Sequence, residues 1–345
     1  MNFDAKKLDK SNFRQFILAS PSQFEVGMSL VKKIKLTGHF KNIVVCGMGG
    51  SALPANLLRT YCNSLLKTNS DHKPFGIFIN RYYSLPRESY MPNTLNIISS
   101  YSGTTEETIS CLEEAHNVNL PFIGLSSGGN IEELCKKYGA LRIKIPVPYP
   151  NFQPRMGTGY FFGVMLQLLV NQGLVPNTSD EILSSAKKLS EEMGNFEKKG
   201  IELAGKLKGK TPVIYASQQY KPVAMVWKIK MNENAKTPAF WNFFPEANHN
   251  EMVGFTNPQA KFFVIMLKDP QDHERNIRRY EPTAALLKEK GIESEILDMQ
   301  GDNPFYKIFS SISLADWTSY YLALEYGQDP TPVDMVENLK KILAS

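Results

Sequence analysis

Apolar residues recur along the chain in two patterns, as short unbroken runs and as longer stretches in which they return with a helical period. The short runs predict buried strands at residues 42–46, 75–80, 96–99, 122–125, 141–145, 213–216, 262–267 and 295–299. The longer stretches predict helices up to about residue 37 and at 106–117, 131–138, 156–171, 180–198, 222–234, 273–290, 305–326 and 334–343. Because strands and helices alternate in both halves, we predict an α/β fold with two subdomains, each a doubly wound, mainly parallel sheet flanked by helices.

A proline-rich stretch separates the two halves. Residues 147–154 have the sequence VPYPNFQP. Proline lacks a backbone donor and favours turns or extended chain, so this stretch is typical of a linker or crossover. We therefore predict one subdomain at residues 1–153 and a second at residues 154–345.

The composition and charge of the chain exclude several classes of protein. Hydrophobic residues make up 42% of the chain and charged residues 21%, which is typical of a soluble globular protein. The net charge of +5 is spread along the chain and is too small to indicate a nucleic-acid partner. We find neither an apolar run of about 18 residues nor a signal-peptide pattern, so we expect no membrane partner and a cytoplasmic location.

Cysteine and histidine spacing gives no indication of a metal site. The four cysteines lie far apart in the first half of the chain, and the five histidines form no HxH or HExxH pattern. We therefore expect reduced, mostly buried thiols and no bound metal.

A glycine cluster joins the first predicted strand to the following helix, in the sequence NIVVCGMGGSALPANL. We call residues 47–51 the first corner. Gly49 and Gly50 let the backbone approach a ligand closely, and Ser51 adds a hydroxyl where the helix starts. The unpaired N–H groups and the positive dipole end of a helix favour an anion such as phosphate. Close packing without a ligand is the alternative explanation.

The same glycines also match G-x-G-x-x-A, a dinucleotide-binding pattern. That pattern requires an acidic residue near the end of the next strand, where this chain has Asn80 and Arg81. A nicotinamide enzyme, with Arg81 facing an NADP phosphate, is therefore the weaker alternative. No Gly-Lys-Ser/Thr follows the glycines, which excludes a P-loop.

A second corner, residues 99–105, repeats the design after another predicted strand. It carries several hydroxyl side chains and one glycine, namely Ser99, Ser100, Ser102, Gly103, Thr104 and Thr105. Capping a helix requires one hydroxyl, whereas a phosphate accepts several donors. We predict that the two corners bind one shared ligand.

The densest polar cluster elsewhere lies at residues 231–255. Three carboxylates, a lysine and a histidine stand among aromatic residues there: Glu233, Lys236, Glu246, His249 and Glu251. Burial of a carboxylate raises its pKa toward neutrality, which suits proton transfer. The alternative is a helix end with solvated charges followed by a capped turn.

These segments together resemble a known family. GMGGSA and SSYSGTTEET resemble the phosphate-binding segments of the sugar isomerase (SIS) fold. NENAK, PEANHNEMVG, QPR at 153–155 and TPVDMVENLKKIL at 331–343 are similar to the bifunctional phosphoglucose/phosphomannose isomerase family. The resemblance implies two SIS-type subdomains and an aldose-ketose isomerase that interconverts glucose and mannose 6-phosphates with fructose 6-phosphate, without a metal or organic cofactor.

The resemblance also implies roles for individual residues. The sugar 6-phosphate would be bound by Gly49, Gly50, Ser51, Ser100, Ser102 and Thr105. Glu233 would move the proton between C1 and C2, and Arg155 would stabilise the enediolate. His249 would open the sugar ring from the second subunit of a homodimer, assisted by Lys340. Thr331 would leave room for both C2 epimers.

Two other functions are compatible with the SIS-type corners. A sugar-phosphate-sensing SIS protein would keep both corners but would lack the base and the ring-opening pair, so Glu233 and His249 together argue against it. An aminosugar-phosphate isomerase is the second alternative.

Overall fold

The computed structural model describes residues 5–68 and 75–343. Its helices are α1 (Ala5–Leu8), α2 (Phe13–Ala19), α3 (Ser22–Val31), α4 (Gly49–Thr68), α5 (Glu106–Asn117), α6 (Gly129–Lys137), α7 (Thr158–Asn171), α8 (Ser179–Leu207), α9 (Lys221–Glu233), α10 (Glu251–Gly254), α11 (Glu274–Glu289), α12 (Pro304–Glu325) and α13 (Asp334–Leu343). Its strands are β1 (Asn42–Gly47), β2 (Gly76–Asn80), β3 (Thr94–Ser99), β4 (Phe122–Ser126), β5 (Arg142–Lys144), β6 (Thr211–Ser217), β7 (Phe240–Phe244), β8 (Phe262–Lys268) and β9 (Glu293–Asp298). The predicted α/β fold is confirmed.

The chain divides into two compact units. Among the described residues, the first unit comprises 19–68 and 75–190, and the second comprises 5–18 with 191–343. The division thus falls within α8 and not at 153/154, the boundary predicted from the proline-rich stretch. Residues 154–171 belong to the first unit because α7 packs closely on α3: a Cβ at Gly163 would lie 2.6 Å from the carbonyl oxygen of Phe24. The side chain of Gln23 also donates a hydrogen bond to the Met156 carbonyl, at 2.8 Å.

The first unit is built on a five-stranded sheet in the order β2-β1-β3-β4-β5. All of its neighbouring strands are parallel, and Gly47 at the end of β1 is in register with Ser99 at the end of β3. β1 and β3 are buried over nearly their whole length, which explains their apolar sequences. In parallel sheets, loops that follow neighbouring strands meet at one edge, so this register brings the first two corners together.

The second unit is built on a four-stranded parallel sheet in the order β7-β6-β8-β9. Its core includes Tyr215, Phe244, Val264 and Tyr280. The sequence pattern does not predict β7, whose FWNFF sequence lies within the polar cluster at residues 231–255. It is an edge strand with mostly half-exposed side chains, so it lacks the apolar run of a central strand.

The N-terminal helical prediction is partly correct. α1, α2 and α3 occupy residues up to Val31, and the chain from there to β1 is not helical. Residues 1–4 lie outside the described part of the chain. Of the helices described, none combines the length and apolar character needed to cross a bilayer.

Candidate active site

The first corner forms the turn between β1 and α4. Gly49 adopts a left-handed backbone conformation, with φ of +44°, which favours glycine. Gly50 is required for another reason, because a Cβ there would lie 2.5 Å from the backbone nitrogen of Arg155 and 2.6 Å from the carbonyl carbon of Pro154. The backbone at residues 154–155 therefore packs directly on the first corner.

Arg155 is positioned by this contact. It lies in a short 3-10 helix, Pro154–Met156, and only 1% of its surface is exposed. Arginine is rarely buried to this extent in proteins. The first unit thus holds a buried guanidinium on a segment fixed against the glycines of the first corner.

The second corner forms the turn between β3 and α5. The hydroxyls of Ser100 and Thr105 lie 2.8 Å apart, and Ser100 Oγ also accepts a hydrogen bond from the backbone N–H of Gly103 at 3.1 Å. Thr105 occupies the N-cap position of α5, yet its side chain makes no capping hydrogen bond. Capping therefore does not account for the Thr105 hydroxyl. Ser102, by contrast, is exposed, with its hydroxyl 3.0 Å from that of Thr104.

Hydrogen bonds join the two corners. Ser51 Oγ accepts from the backbone N–H of Tyr101 at 2.9 Å, and Ser99 Oγ donates to the carbonyl of Ser51 at 2.8 Å. The first of these bonds uses the Ser51 hydroxyl as an acceptor, which leaves its proton to donate. Gly47 permits the close approach, since a Cβ there would lie 2.8 Å from the Ser99 carbonyl oxygen. The corners form one continuous rim of hydroxyls and backbone amides at the end of the first sheet.

A third corner, residues 126–129, joins β4 to α6 and is not among the sequence predictions. Ser127 donates to the carbonyl of Tyr101 through both its backbone N–H, at 2.9 Å, and its hydroxyl, at 2.6 Å. A Cβ at Gly103 would overlap with the carbonyl oxygen of Gly128. The SSGGN sequence at residues 126–130, where β4 ends, has the same combination of glycine and hydroxyl residues as the first corner, and that combination is the sequence signal for it. Its role here is to support the second corner from the neighbouring strand.

In the second unit, Glu233 is the last residue of α9 and is half-buried. The residues on either side of it are anchored by hydrogen bonds. Asn232 Oδ1 accepts from the backbone N–H of Ala239 at 3.1 Å, and Asn234 Nδ2 donates to Ser319 Oγ at 3.0 Å inside the protein. These two bonds fix the end of α9 that carries Glu233.

Thr331 is joined to this segment through Lys236. Only 2% of Thr331 is exposed, and its backbone N–H donates to Asp329 Oδ1 at 2.9 Å. Lys236 Nζ donates to the carbonyl of Glu233 at 2.5 Å and to the carbonyl of Pro330 at 3.2 Å. Glu233 and Thr331 are thus held on segments that share one ammonium donor.

His249 follows a 3-10 helix, Glu246–Asn248, and its side chain is exposed. Its neighbour Asn248 is fixed to α11, since Nδ2 donates to Thr283 Oγ1 at 3.0 Å and Oδ1 accepts from Arg279 Nη1 at 3.2 Å. An exposed histidine on an anchored turn suits contact with a molecule outside this chain.

Glu251 has a structural role and is not a free base. Its carboxylate accepts hydrogen bonds from the Tyr215 hydroxyl, at 2.7 Å, and from the Asn242 side chain. Burial, followed by the charge of Glu251 and its hydrogen bond, raises the pKa of Tyr215, which keeps the phenol protonated as the donor. The polar cluster therefore divides into Glu251, which ties β6 and β7 together, and the groups near Glu233 and His249.

Lys340 lies on α13, whose side chains are all exposed, and its Nζ forms an ion pair with Glu337 at 2.7 Å. The described residues contain no group of three His, Cys, Asp or Glu side chains suited to holding a metal ion. The structure thus unites the corners and Arg155 in the first unit, and Glu233 with Thr331 in the second. His249 and Lys340 lie on other elements of the second unit.

Known proteins resemble the chain in sequence and fold. Residues 196–343 match the model of the bacterial phospho-glucose isomerase C-terminal SIS domain. The chain is 37% identical to a bifunctional phosphoglucose/phosphomannose isomerase from Caldicellulosiruptor bescii, covering 93% of this chain and 94% of that protein. It is 33% identical to the protein of that name from Aquifex aeolicus, covering 88% and 91%. A hypothetical protein from Thermus thermophilus shares the fold, with a TM-score of 0.74, 16% identity and coverage of 96% and 90%.

Proposed function

Because the chain belongs to the bifunctional phosphoglucose/phosphomannose isomerase family, we propose that it interconverts glucose 6-phosphate and mannose 6-phosphate with fructose 6-phosphate through a cis-enediol. The observation that carries this proposal is the joined rim of hydroxyls and glycines at the end of the first sheet, with the buried Arg155 packed against it. Such a rim suits a phosphate monoester, which accepts several donors and favours a helix N-terminus.

Each proposed role follows from the chemistry of aldose-ketose exchange. Glu233 removes the proton from one of C1 and C2 and returns it to the other, which one carboxylate can do. Arg155 stabilises the negative charge that develops on the enediolate oxygen. His249 moves the proton between O5 and O1 when the ring opens, since an imidazole can both accept and donate a proton, and Lys340 assists. The proposal requires no metal or organic cofactor.

The proposal includes activity on both C2 epimers, glucose 6-phosphate and mannose 6-phosphate. Glucose and mannose 6-phosphates differ only at C2 and give the same enediol, so one base serves both only if C2 can present either face. We assign to Thr331 the role of leaving room for the displaced hydroxyl. Its burial and its short side chain support this role.

A coupled assay tests the function. With fructose 6-phosphate and no added cofactor, we expect formation of both glucose 6-phosphate and mannose 6-phosphate. Tight binding of fructose 6-phosphate without turnover would instead indicate a sugar-phosphate sensor. Turnover of glucosamine 6-phosphate alone would indicate an aminosugar-phosphate enzyme.

Replacing hydroxyls of the second corner should weaken substrate binding. Ser102→Ala and Thr105→Ala should each raise KM for fructose 6-phosphate by about 10- to 100-fold, because a hydrogen bond to a charged group contributes about 1.5–3 kcal/mol. Steady-state kinetics measure this. Ser110→Ala, on α5 outside the corner, is the matched control and should leave KM unchanged. An unchanged KM in both corner variants would show that the phosphate binds elsewhere.

We further propose that the enzyme is a homodimer in which His249 completes the site of the partner subunit. The exposure of His249 on an anchored turn supports this arrangement. Glu233→Gln and His249→Ala proteins should each be inactive alone. After subunit exchange, mixed dimers contain one intact site, so random pairing should restore about a quarter of the parent activity. Exchange verified by mass spectrometry without any recovery of activity would contradict a shared site.

The proposed location is the cytoplasm. Cys46, Cys62, Cys111 and Cys135 are all buried free thiols, which supports a reducing compartment.

A further inference from the structure

Lys236 has a backbone conformation that is uncommon for its residue type. Its φ of 55° lies in the left-handed region, which glycine and asparagine tolerate better than a lysine does. The residue follows the end of α9 by three positions. Strained backbone conformations of this kind cluster at functional sites.

The Lys236 ammonium joins two carbonyl groups that belong to different segments. It donates to the carbonyl of Glu233, at 2.5 Å, and to the carbonyl of Pro330, at 3.2 Å. The first acceptor is the last carbonyl of α9, at the negative end of the helix dipole, where a cation is favourable. The second lies one residue before Thr331. Lys236 thus combines a left-handed backbone with a side chain that contacts the end of α9.

The two acceptors belong to Glu233 itself and to the residue before Thr331, which are the two places in the second unit with proposed roles. Glu233 is the proposed base, and Thr331 is the proposed determinant of space around C2. The backbone of Thr331 is fixed locally by Asp329, but this bond lies within its own loop. The bond from Lys236 to Pro330 ties that loop to the end of α9.

We propose that Lys236 is a positioning residue that sets the ratio of mannose 6-phosphate to glucose 6-phosphate turnover by fixing the Glu233 backbone relative to the Thr331 loop. This inference rests on the proposed function. The base must reach C2 in both epimers, so a change in its position relative to the Thr331 hydroxyl affects the two sugars unequally. Lys236 need not touch the substrate.

The test uses substitutions that separate the ammonium from the backbone conformation. Lys236→Asn keeps a residue type that tolerates the left-handed region but removes the ammonium. Lys236→Arg keeps a cationic donor. Lys261→Met, which removes an exposed lysine of the same unit, is the matched control. Thr331→Gln serves as the comparison for a direct change in the space around C2.

Lys236→Asn should lower kcat about tenfold with little change in KM, and should change the mannose to glucose ratio of kcat/KM at least about threefold. Lys236→Arg should restore most of both values, and Lys261→Met should match the parent. Hydrogen exchange followed by mass spectrometry should show faster exchange of the peptide containing residues 328–333 in Lys236→Asn.

Outcomes that overturn the inference differ from those that overturn the function. A parent protein inert toward both sugars overturns the proposed function and this inference with it. An active parent whose sugar ratio and exchange rates are unchanged in Lys236→Asn overturns only the role of Lys236. If Lys236→Asn fails to fold, Lys236→Gly replaces it, because glycine also accepts the left-handed conformation, and the same criteria apply.

Discussion

Replacing Glu233 with glutamine is expected to lower kcat for fructose 6-phosphate by about 10²–10⁴-fold, because the amide cannot accept the proton that the enediol mechanism transfers. This loss corresponds to a barrier about 3–5 kcal/mol higher. Binding should persist, since the phosphate is assigned to residues of the first unit. Steady-state kinetics give kcat, and calorimetry gives the affinity for fructose 6-phosphate.

Glu246→Gln is the control for this substitution. Glu246 lies in the same polar cluster, is exposed and accepts a hydrogen bond from Asn250 at 2.6 Å, so the same change there removes a charge but no proposed base. Its kcat should stay near that of the parent. A Glu233→Gln protein that keeps more than about a tenth of the parent kcat would remove Glu233 from the role of base.

Replacing Gly103 with alanine is expected to destabilise the fold and disrupt the second corner together. The new Cβ would overlap with the Gly128 carbonyl, and the φ of +71° adds backbone strain. The expected loss in the free energy of unfolding is about 2–4 kcal/mol, from the forced displacement and the left-handed conformation combined. Urea denaturation measures this loss, and KM for fructose 6-phosphate should rise because Ser100 accepts a bond from this residue.

Gly139→Ala separates the effect of backbone strain from the effect of steric overlap. Gly139 has a similar φ of +65°, but a Cβ there would meet no atom within 4 Å. Its substitution should cost only the conformational strain, about 1 kcal/mol, and leave KM unchanged. Equal destabilisation of the two variants would show that the contact between the second and third corners is not tightly packed.

The central strands were predictable because a buried parallel strand has a distinctive sequence. β1 and β8 are apolar runs covered on both faces, and the predicted ranges of 42–46 and 262–267 differ by one residue from the structure. β7 was missed because an edge strand carries no such run. Its aromatic and polar residues are equally compatible with a loop near a functional site.

The unit boundary shows where local sequence is a poor guide. Proline at residues 147–154 marks a break in secondary structure, and no helix or strand begins there until the 3-10 helix at Pro154. The assignment of α7 depends instead on packing between residues far apart in sequence. Gly27 is one of the residues that permit it, since a Cβ there would overlap with the backbone of Tyr160.

Some features of the candidate site could be predicted from the sequence, and others could not. Glycine and hydroxyl density predicted both corners, since those residue types are required by the local backbone and by an anion. The sequence could not separate Glu251 from Glu233, because the difference lies in tertiary partners: Tyr215 and Asn242 hold the Glu251 carboxylate. The hydrogen bond from Lys236 to the Pro330 carbonyl could not be predicted either, because it joins residues that are 94 positions apart in the sequence.

The most direct test of an isomerase that acts on both epimers through an enediol is the reaction of fructose 6-phosphate in deuterium oxide, followed by NMR. Proton transfer through a solvent-accessible carboxylate should introduce deuterium at C2 of both glucose 6-phosphate and mannose 6-phosphate, and the Glu233→Gln protein should form neither sugar at a comparable rate. Formation of only one of the two aldoses, or formation of both by the Glu233→Gln protein at a rate close to that of the parent, would contradict the account.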